Sequence, residues 1–290
     1  MPSIRAKDGR ELMYEQWGDP EGVPVFVLHG TPGCRLNRPP EEDKILAAGI
    51  RLFTYDRPGY GASDRHHGRQ VVDCVADVEA LADSLGIHRF AVTGGSGGGP
   101  HALAVGARLP DRVAAVHCVV GCVPYDAEGI DFFEGMDPEN IKEFGWALEG
   151  EERLTKELTV LAAEVAARVA EDPTKVLEGF ELSEADTEVL SDPRVQKVMR
   201  ESVAEECRNG VGGWVDDDLA FITPWGFDID EIRVPVEVRY GATDVLVPAA
   251  HGDWLAEHVP GAVVQKDTRR GHMSNPDETV GHLSRLASNV

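Results

Sequence analysis

Four stretches of the sequence are nearly unbroken in apolar character and short: residues 24–30 of VPVFVLHG, 51–57 (RLFTYDR), 89–95 (RFAVTGG) and 112–120 (RVAAVHCVV). β-Branched and aromatic residues dominate them, the composition of parallel strands covered on both faces. Between the second and third lies RQVVDCVADVEALADSLG, where Val72, Val75, Val78, Leu81 and Leu85 recur at helical spacing until Gly86 ends the run. Residues 100–109, from Pro100 in a first turn to the residue before Pro110, predict a second crossover helix. Such alternation is the signature of a doubly wound parallel sheet. Upstream, the segments 3–7 and 11–17 flank Asp8-Gly9-Arg10, and a D-G pair between strand-like runs predicts an antiparallel hairpin at the start of the chain.

The alternation stops after Gly121-Cys122-Val123-Pro124. About 100 residues follow with helical patterning, interrupted at Pro138, Pro173, Pro193 and the glycines near 210. It resumes with a strand over 234–241, a helix over 248–259, a strand over 262–268 and a helix over 276–288. The organisation predicted is a core domain of residues 1–124 and 226–290, with residues 125–225 inserted as a helical cap.

Charge sharpens this division. The chain carries 51 Asp and Glu against 28 Lys and Arg, a formal net charge of −23, which repels polyanions and argues against a nucleic-acid partner. Residues 126–218 hold 26 of those acids against 9 bases, so the middle segment reads as a layer of its own, a solvated acidic helical surface in preference to an attractor for cationic substrates. No apolar run approaches the roughly 18 residues of a membrane span, and the first residues lack the apolar segment of a secretory signal; a soluble, cytoplasmic protein without a membrane partner is expected. The five cysteines, Cys34, Cys74, Cys118, Cys122 and Cys207, match neither a disulfide framework nor zinc-site pairs and read as reduced packing residues.

The chemistry concentrates at the ends of predicted strands. Gly94-Gly95-Ser96-Gly97-Gly98 fits G-x-S-x-G between a strand and a helix, where glycines relieve the crowding of a sharp turn and Ser96 is presented as a nucleophile. A flexible loop or a phosphate cradle is the competing reading of so many glycines, but no Lys-Ser/Thr follows, and no acidic residue ends the next strand to hold a ribose. A serine hydroxyl needs a base oriented by a carboxylate. His272 directly follows the last strand, and Asp244 lies just past the end of the strand before it, the edge where functional residues of such sheets collect. After the strand ending near Val120 the first carboxylate is Asp126, which disfavours that position for the acid. Backbone N–H groups of Gly97 and Thr31 are the candidate oxyanion donors, since Pro32 has none to give. His29 and the run Asp56 to Gly61 read as loop-shaping, and His66, His67, His251, His258 and His282 as surface histidines.

Together HGTPG (29–33), YDRPGYGASD (55–64), GGSGGGP (94–100), GATDVLVP (241–248) and GHMSNP (271–276) resemble the α/β-hydrolase superfamily, in particular its serine esterase and proline-iminopeptidase-like branch, over residues from about 10 to 288 outside the cap. The resemblance implies an α/β-hydrolase fold and two-step acyl transfer: Ser96 attacks a carbonyl, His272 acts as base oriented by Asp244, and Thr31 and Gly97 hold the oxyanion. It implies no metal and no organic cofactor, and a small-molecule acyl substrate; monomer and homodimer stay open. Epoxide hydrolases share the HG-x-P and DRPGxGxS segments but use Asp as nucleophile, so Ser96 favours ester chemistry. Proline iminopeptidases typically show HGGPG and a Trp after the nucleophile, where this sequence has Thr31 and Gly97. An iminopeptidase-like aminopeptidase and a non-catalytic ligand-binding relative are the alternatives. Phe132, Phe133, Trp146, Trp214 and Trp225 of the cap are candidate pocket aromatics, with ordinary core as the preferred reading of each.

Overall fold

The Asp8-Gly9 turn and the apolar runs become one eight-stranded sheet in the computed structural model, which describes residues 1–290. β1 (Ser3–Arg5) and β2 (Glu11–Gly18) pair antiparallel, with Gly9 at φ 94° in the turn between them. β3 (Val23–Leu28), β4 (Ile50–Tyr55), β5 (Phe90–Gly95), β6 (Val113–Val119), β7 (Val236–Gly241) and β8 (Val263–Asp267) run parallel to one another, and β2 joins them antiparallel through β4. The order across the sheet is β1-β2-β4-β3-β5-β6-β7-β8.

The continuous apolar character of the central strands follows from burial on both faces, and alternate residues serve opposite layers. Phe26, Leu28, Phe53, Phe90 and Val92 point into a core shared with α2 (Cys74–Ser84), α3 (Gly98–Arg108) and α9 (Ala249–His258). Val25, Leu52 and Ala91 face a smaller core capped by α1 (Glu42–Ala47) and α10 (Pro276–Ala287). Helix α1 has no counterpart among the sequence expectations: six residues span less than two turns and bury only Ile45, too little to display a period.

Five helices lie between β6 and β7 in the chain: α4 (Pro138–Glu149), α5 (Glu151–Glu171), α6 (Glu184–Ser191), α7 (Pro193–Glu206) and α8 (Gly212–Phe221). The prolines that interrupt the pattern in sequence start helices in space. Pro138 and Pro193 occupy first-turn positions behind Asp137 and Asp192, whose carboxylates accept the N–H groups of Glu139 and Arg194 at 2.9 and 2.8 Å. These helices have a core of their own around Leu154, Leu158, Trp214 and Val215, which Tyr60 enters from the loop after β4. The expected solvated acidic surface is corrected at several places, because Asp137, Asp186, Glu206, Asp216, Asp217 and Asp218 are all buried. No helix is long and apolar enough to cross a membrane.

Candidate active site

β5 ends at Gly95 and α3 begins at Gly98, so the chain must reverse direction within two residues. Ser96 sits at φ 52°, one of only two non-glycine residues in the left-handed region, the kind of strain that persists where surrounding contacts over-determine the backbone. Its N–H donates to the carbonyl of Val119 at 2.9 Å, and its own carbonyl accepts from Gly99 at 2.8 Å. The flanking glycines are required by close approach: a Cβ on Gly94 would collide with the Gly98 carbonyl, and one on Gly98 with the carbonyls of Leu28 and His29. Because these are backbone atoms that cannot swing aside, Gly98→Ala is expected to lower the unfolding free energy by about 1–3 kcal/mol, the usual range for overpacking. Denaturant unfolding of the variant measures it; an unchanged midpoint would show that the turn relaxes freely.

Asp244 and His272 come together as the sequence order anticipates. His272 Nδ1 lies 2.8 Å from Asp244 Oδ2, while Asp244 Oδ1 accepts the N–H groups of Leu246 and Val247 at 2.9 and 3.0 Å. An ionised carboxylate only accepts, which assigns the proton to Nδ1 and leaves Nε2 free. Burial pushes the imidazole towards its neutral form, but the charge and hydrogen bond of Asp244 override it and raise the His272 pKa above its ordinary value. Ser96 and His272 line the same cavity of about 370 Å³, together with Gly30 and Thr31. Thr31 also abuts Gly97: a Cβ on Gly97 would lie 2.8 Å from that of Thr31, so the two candidate oxyanion residues are neighbours. The structure thus brings Ser96, Asp244, His272, Thr31 and Gly97 to one end of the sheet.

His29 and Arg57 shape the loop that carries Thr31. His29 is buried, its Nδ1 is 2.7 Å from the Gly30 carbonyl, and its Nε2 accepts the N–H of Arg57 at 3.1 Å. Burial and the Arg57 charge hold its pKa well below the usual value, so it is a neutral structural brace. The Arg57 guanidinium is completely buried and donates to the carbonyls of His29 and Gly30, to Thr31 Oγ1 and to Asp217. His251 departs from the surface expectation: it is buried, accepts the N–H of Val123 at Nδ1 and meets the Phe132 carbonyl at 3.0 Å through Nε2. Of the five aromatics, Trp146 and Trp214 line the cavity, Phe132 flanks an annex of it beside Ser96, and Trp225 and Phe133 pack in or against the sheet core.

Four acidic residues at the site carry no sequence signal of their own. Asp186 of α6 accepts the backbone N–H groups of His272 and Met273 at 3.1 and 2.7 Å, and Asp217 of α8 accepts from Thr31 Oγ1 at 2.7 Å. Glu143 of α4 and Asp218 of α8 line the annex with Ser96 and Thr31, and Asp218 Oδ2 is buried without a hydrogen-bond partner. Burial, reinforced by Glu143, holds the Asp218 carboxyl well above the usual carboxylate range, and burial raises that of Glu143 as well.

The sequence matches the family described as alpha/beta hydrolase fold over residues 23–279, most of the chain. The chain belongs to this family. Among curated relatives, the proline iminopeptidase of Neisseria meningitidis serogroup B is 25% identical across 99% of this chain and 94% of its own, and the non-heme chloroperoxidase of Streptomyces lividans 28% identical across 86% and 84%. A proline iminopeptidase of Xylella fastidiosa reaches 38%, but that match spans only 34% of the relative's length and 36% of this chain. Among solved structures, an enol-lactonase from Burkholderia xenovorans superposes with a TM-score of 0.70 over 99% of this chain and all of its own, at 22% identity, which is a likeness of fold. As an α/β hydrolase, the chain presents its candidate residues on loops at the carboxyl edge of the sheet, beneath helices α4 to α8.

Proposed function

We propose that this α/β hydrolase is a serine hydrolase of small to medium esters or related acyl compounds, working through an acyl-enzyme. The observation that carries the reading is the hydrogen-bonded Asp244–His272 pair opening onto the same cavity as a Ser96 held at positive φ. In this reading Ser96 Oγ attacks the substrate carbonyl while its proton passes to His272 Nε2, and Asp244 stabilises the imidazolium that forms. The N–H groups of Thr31 and Gly97 receive the developing oxyanion at the positive end of α3. His272 then returns the proton to the departing alcohol, and a water deprotonated by the same nitrogen releases the acid. Residues 125–225 act as the cap over the pocket; a cavity of about 370 Å³ suits an acyl group of modest size.

A second reading is favoured by one observation. Half-buried Glu143 and buried Asp218 beside Ser96 offer an acidic, partly desolvated site to a protonated amine, and proline iminopeptidases stand among the relatives. One panel separates the readings: p-nitrophenyl esters of increasing chain length, together with proline p-nitroanilide. The ester reading expects turnover of the esters, falling once the acyl chain outgrows the cavity, with no anilide release. Rapid anilide turnover, abolished by Asp218→Asn, would promote the aminopeptidase. A protein that binds these compounds without turning any over would leave only a ligand-binding role.

A further inference from the structure

The loops that carry the candidate acid, the candidate base and Thr31 are each fastened by polar contacts to the helices between β6 and β7. The acid's loop is held from α4: Val245 and Leu246 give their carbonyls to the backbone N–H of Asp137 and to Asn140 Nδ2, at 2.8 and 2.9 Å. The base's loop is held from α6, where both oxygens of fully buried Asp186 accept successive N–H groups at His272 and Met273, and Ser183 Oγ donates to the same carboxylate at 2.9 Å. A Cβ on Gly271 would strike that carboxylate, so the approach depends on the residue before His272 having no side chain.

The oxyanion loop is held from α8. Asp217, fully buried, accepts from Thr31 Oγ1 at 2.7 Å, Arg57 Nη2 at 2.6 Å, Tyr60 OH at 2.8 Å and Arg69 Nη1 at 2.5 Å, with His101 Nε2 at 3.3 Å. Burial opposes its charge, but Arg57 and Arg69 outweigh burial and keep Asp217 ionised well below the usual carboxylate range. Arg57 in turn grips the carbonyls of His29 and Gly30 and the Thr31 hydroxyl itself. Paired buried charges of this kind add little net stability, yet breaking one is severe, which makes them devices for fixing geometry. Near an oxyanion donor, geometry governs rate, since displacements of about 1 Å can lower turnover roughly 100-fold.

We propose that Asp217 and Asp186 are positioning residues, the first for Thr31 and the second for His272, so that the inserted helices build the active site and do not merely cover it. The proposal rests on the serine-hydrolase reading and deepens it. It is tested with p-nitrophenyl acetate, whose acetyl group is too small to need the walls of the helices, in Thr31→Val, Thr31→Ser and Asp186→Asn. Thr31→Val exchanges the hydroxyl for a methyl of similar size, leaving Asp217 its four other partners and Arg57 its bonds to His29, Gly30 and Asp217, so the fold should survive. The expected result is a fall in kcat of about 10- to 100-fold with KM within about threefold in Thr31→Val, recovery in Thr31→Ser, and a comparable loss in Asp186→Asn. Asp186 also lends negative charge to His272, so Asp186→Asn should move the acid limb of kcat/KM to lower pH, which general loosening would not do. Labelling of Ser96 by a fluorophosphonate, with Ser96→Ala as control, separates the two levels. Labelled, active wild type with Thr31→Val and Asp186→Asn equally active overturns the positioning role alone; an unlabelled, inactive wild type overturns the hydrolase reading and this proposal with it.

Discussion

Replacing Ser96 by alanine is expected to reduce ester turnover by about 10⁴-fold or more while leaving the fold intact. The hydroxyl is the sole atom removed; its neighbours in the turn are glycines and backbone, so no cavity of consequence is left and no buried donor loses a partner. What remains after such a deletion is the electrostatic assistance of the oxyanion donors and of binding, on the order of 10³–10⁴ over water, small against the roughly 10⁶ attributed to an intact triad. The position makes a second, opposite expectation for stability. A non-glycine residue at φ 52° stores about 1–3 kcal/mol of backbone strain, so Ser96→Gly should be inactive and yet more resistant to denaturant than wild type. The two variants dissociate catalysis from folding: ester hydrolysis and denaturant midpoints are measured on both. Activity persisting in Ser96→Ala would remove Ser96 from the chemistry. A Ser96→Gly protein no more stable than wild type would show that the turn carries no strain.

That the strain falls on a serine between glycines is why Ser96 stands out in the sequence as the candidate nucleophile. Gly94, Gly97 and Gly98 are conspicuous, and each answers to a close approach: Gly94 to the Gly98 carbonyl within the turn, Gly97 to Thr31, and Gly98 to the carbonyls of Leu28 and His29 at the end of β3. The strands were legible for a related reason. Val25 and Phe26, or Ala91 and Val92, face opposite cores, so burial on both sides writes itself as unbroken apolar sequence. Asp244 and His272 followed from chain order, because the sheet edge at which they meet is set by which strands they follow.

The helices between β6 and β7 obey a different rule, which hid half of the site's surroundings. In α8 the acidic residues are buried along with the apolar ones: Asp216 pairs with Arg65 at 2.8 Å, Asp217 with Arg57 and Arg69, and Asp218 faces the annex beside Ser96. Three consecutive aspartates on a helix ordinarily mark a solvated face, and nothing local distinguishes these. Their partners stand about 150 residues earlier in the loops after β4, a relation that only the folded chain creates. Asp186 is the same case, an acid in the first turn of α6 whose neighbours suggest helix capping and whose partners are two backbone amides beyond β8. Arg57 was readable as loop-shaping from its turn-rich setting, while the carboxylate that keeps it buried was not.

Asp244→Asn is expected to lower kcat by about 10⁴-fold, and by a route that the hydrogen bonds dictate. Oδ1 of Asp244 already accepts the N–H groups of Leu246 and Val247, so an asparagine must keep its carbonyl oxygen there and turn its NH₂ towards His272. A donor facing Nδ1 forces the imidazole proton onto Nε2, the nitrogen that has to take the proton of Ser96, and the base is lost with its geometry almost unchanged. The pH profile carries an independent sign. In wild type, burial depresses the His272 pKa and Asp244 more than offsets it, so kcat/KM should fall with acid through a pKa above the unperturbed value of about 6.5. Without the Asp244 carboxylate only the weaker charge of Asp186 still opposes burial, and the acid limb of the residual activity should move to lower pH than in wild type. A variant with near-wild-type kcat, or with its acid limb unmoved, would mean that Asp244 does not orient the base and that another carboxylate does; Asp186, which accepts the backbone N–H groups of His272 and Met273, would be the residue to change next.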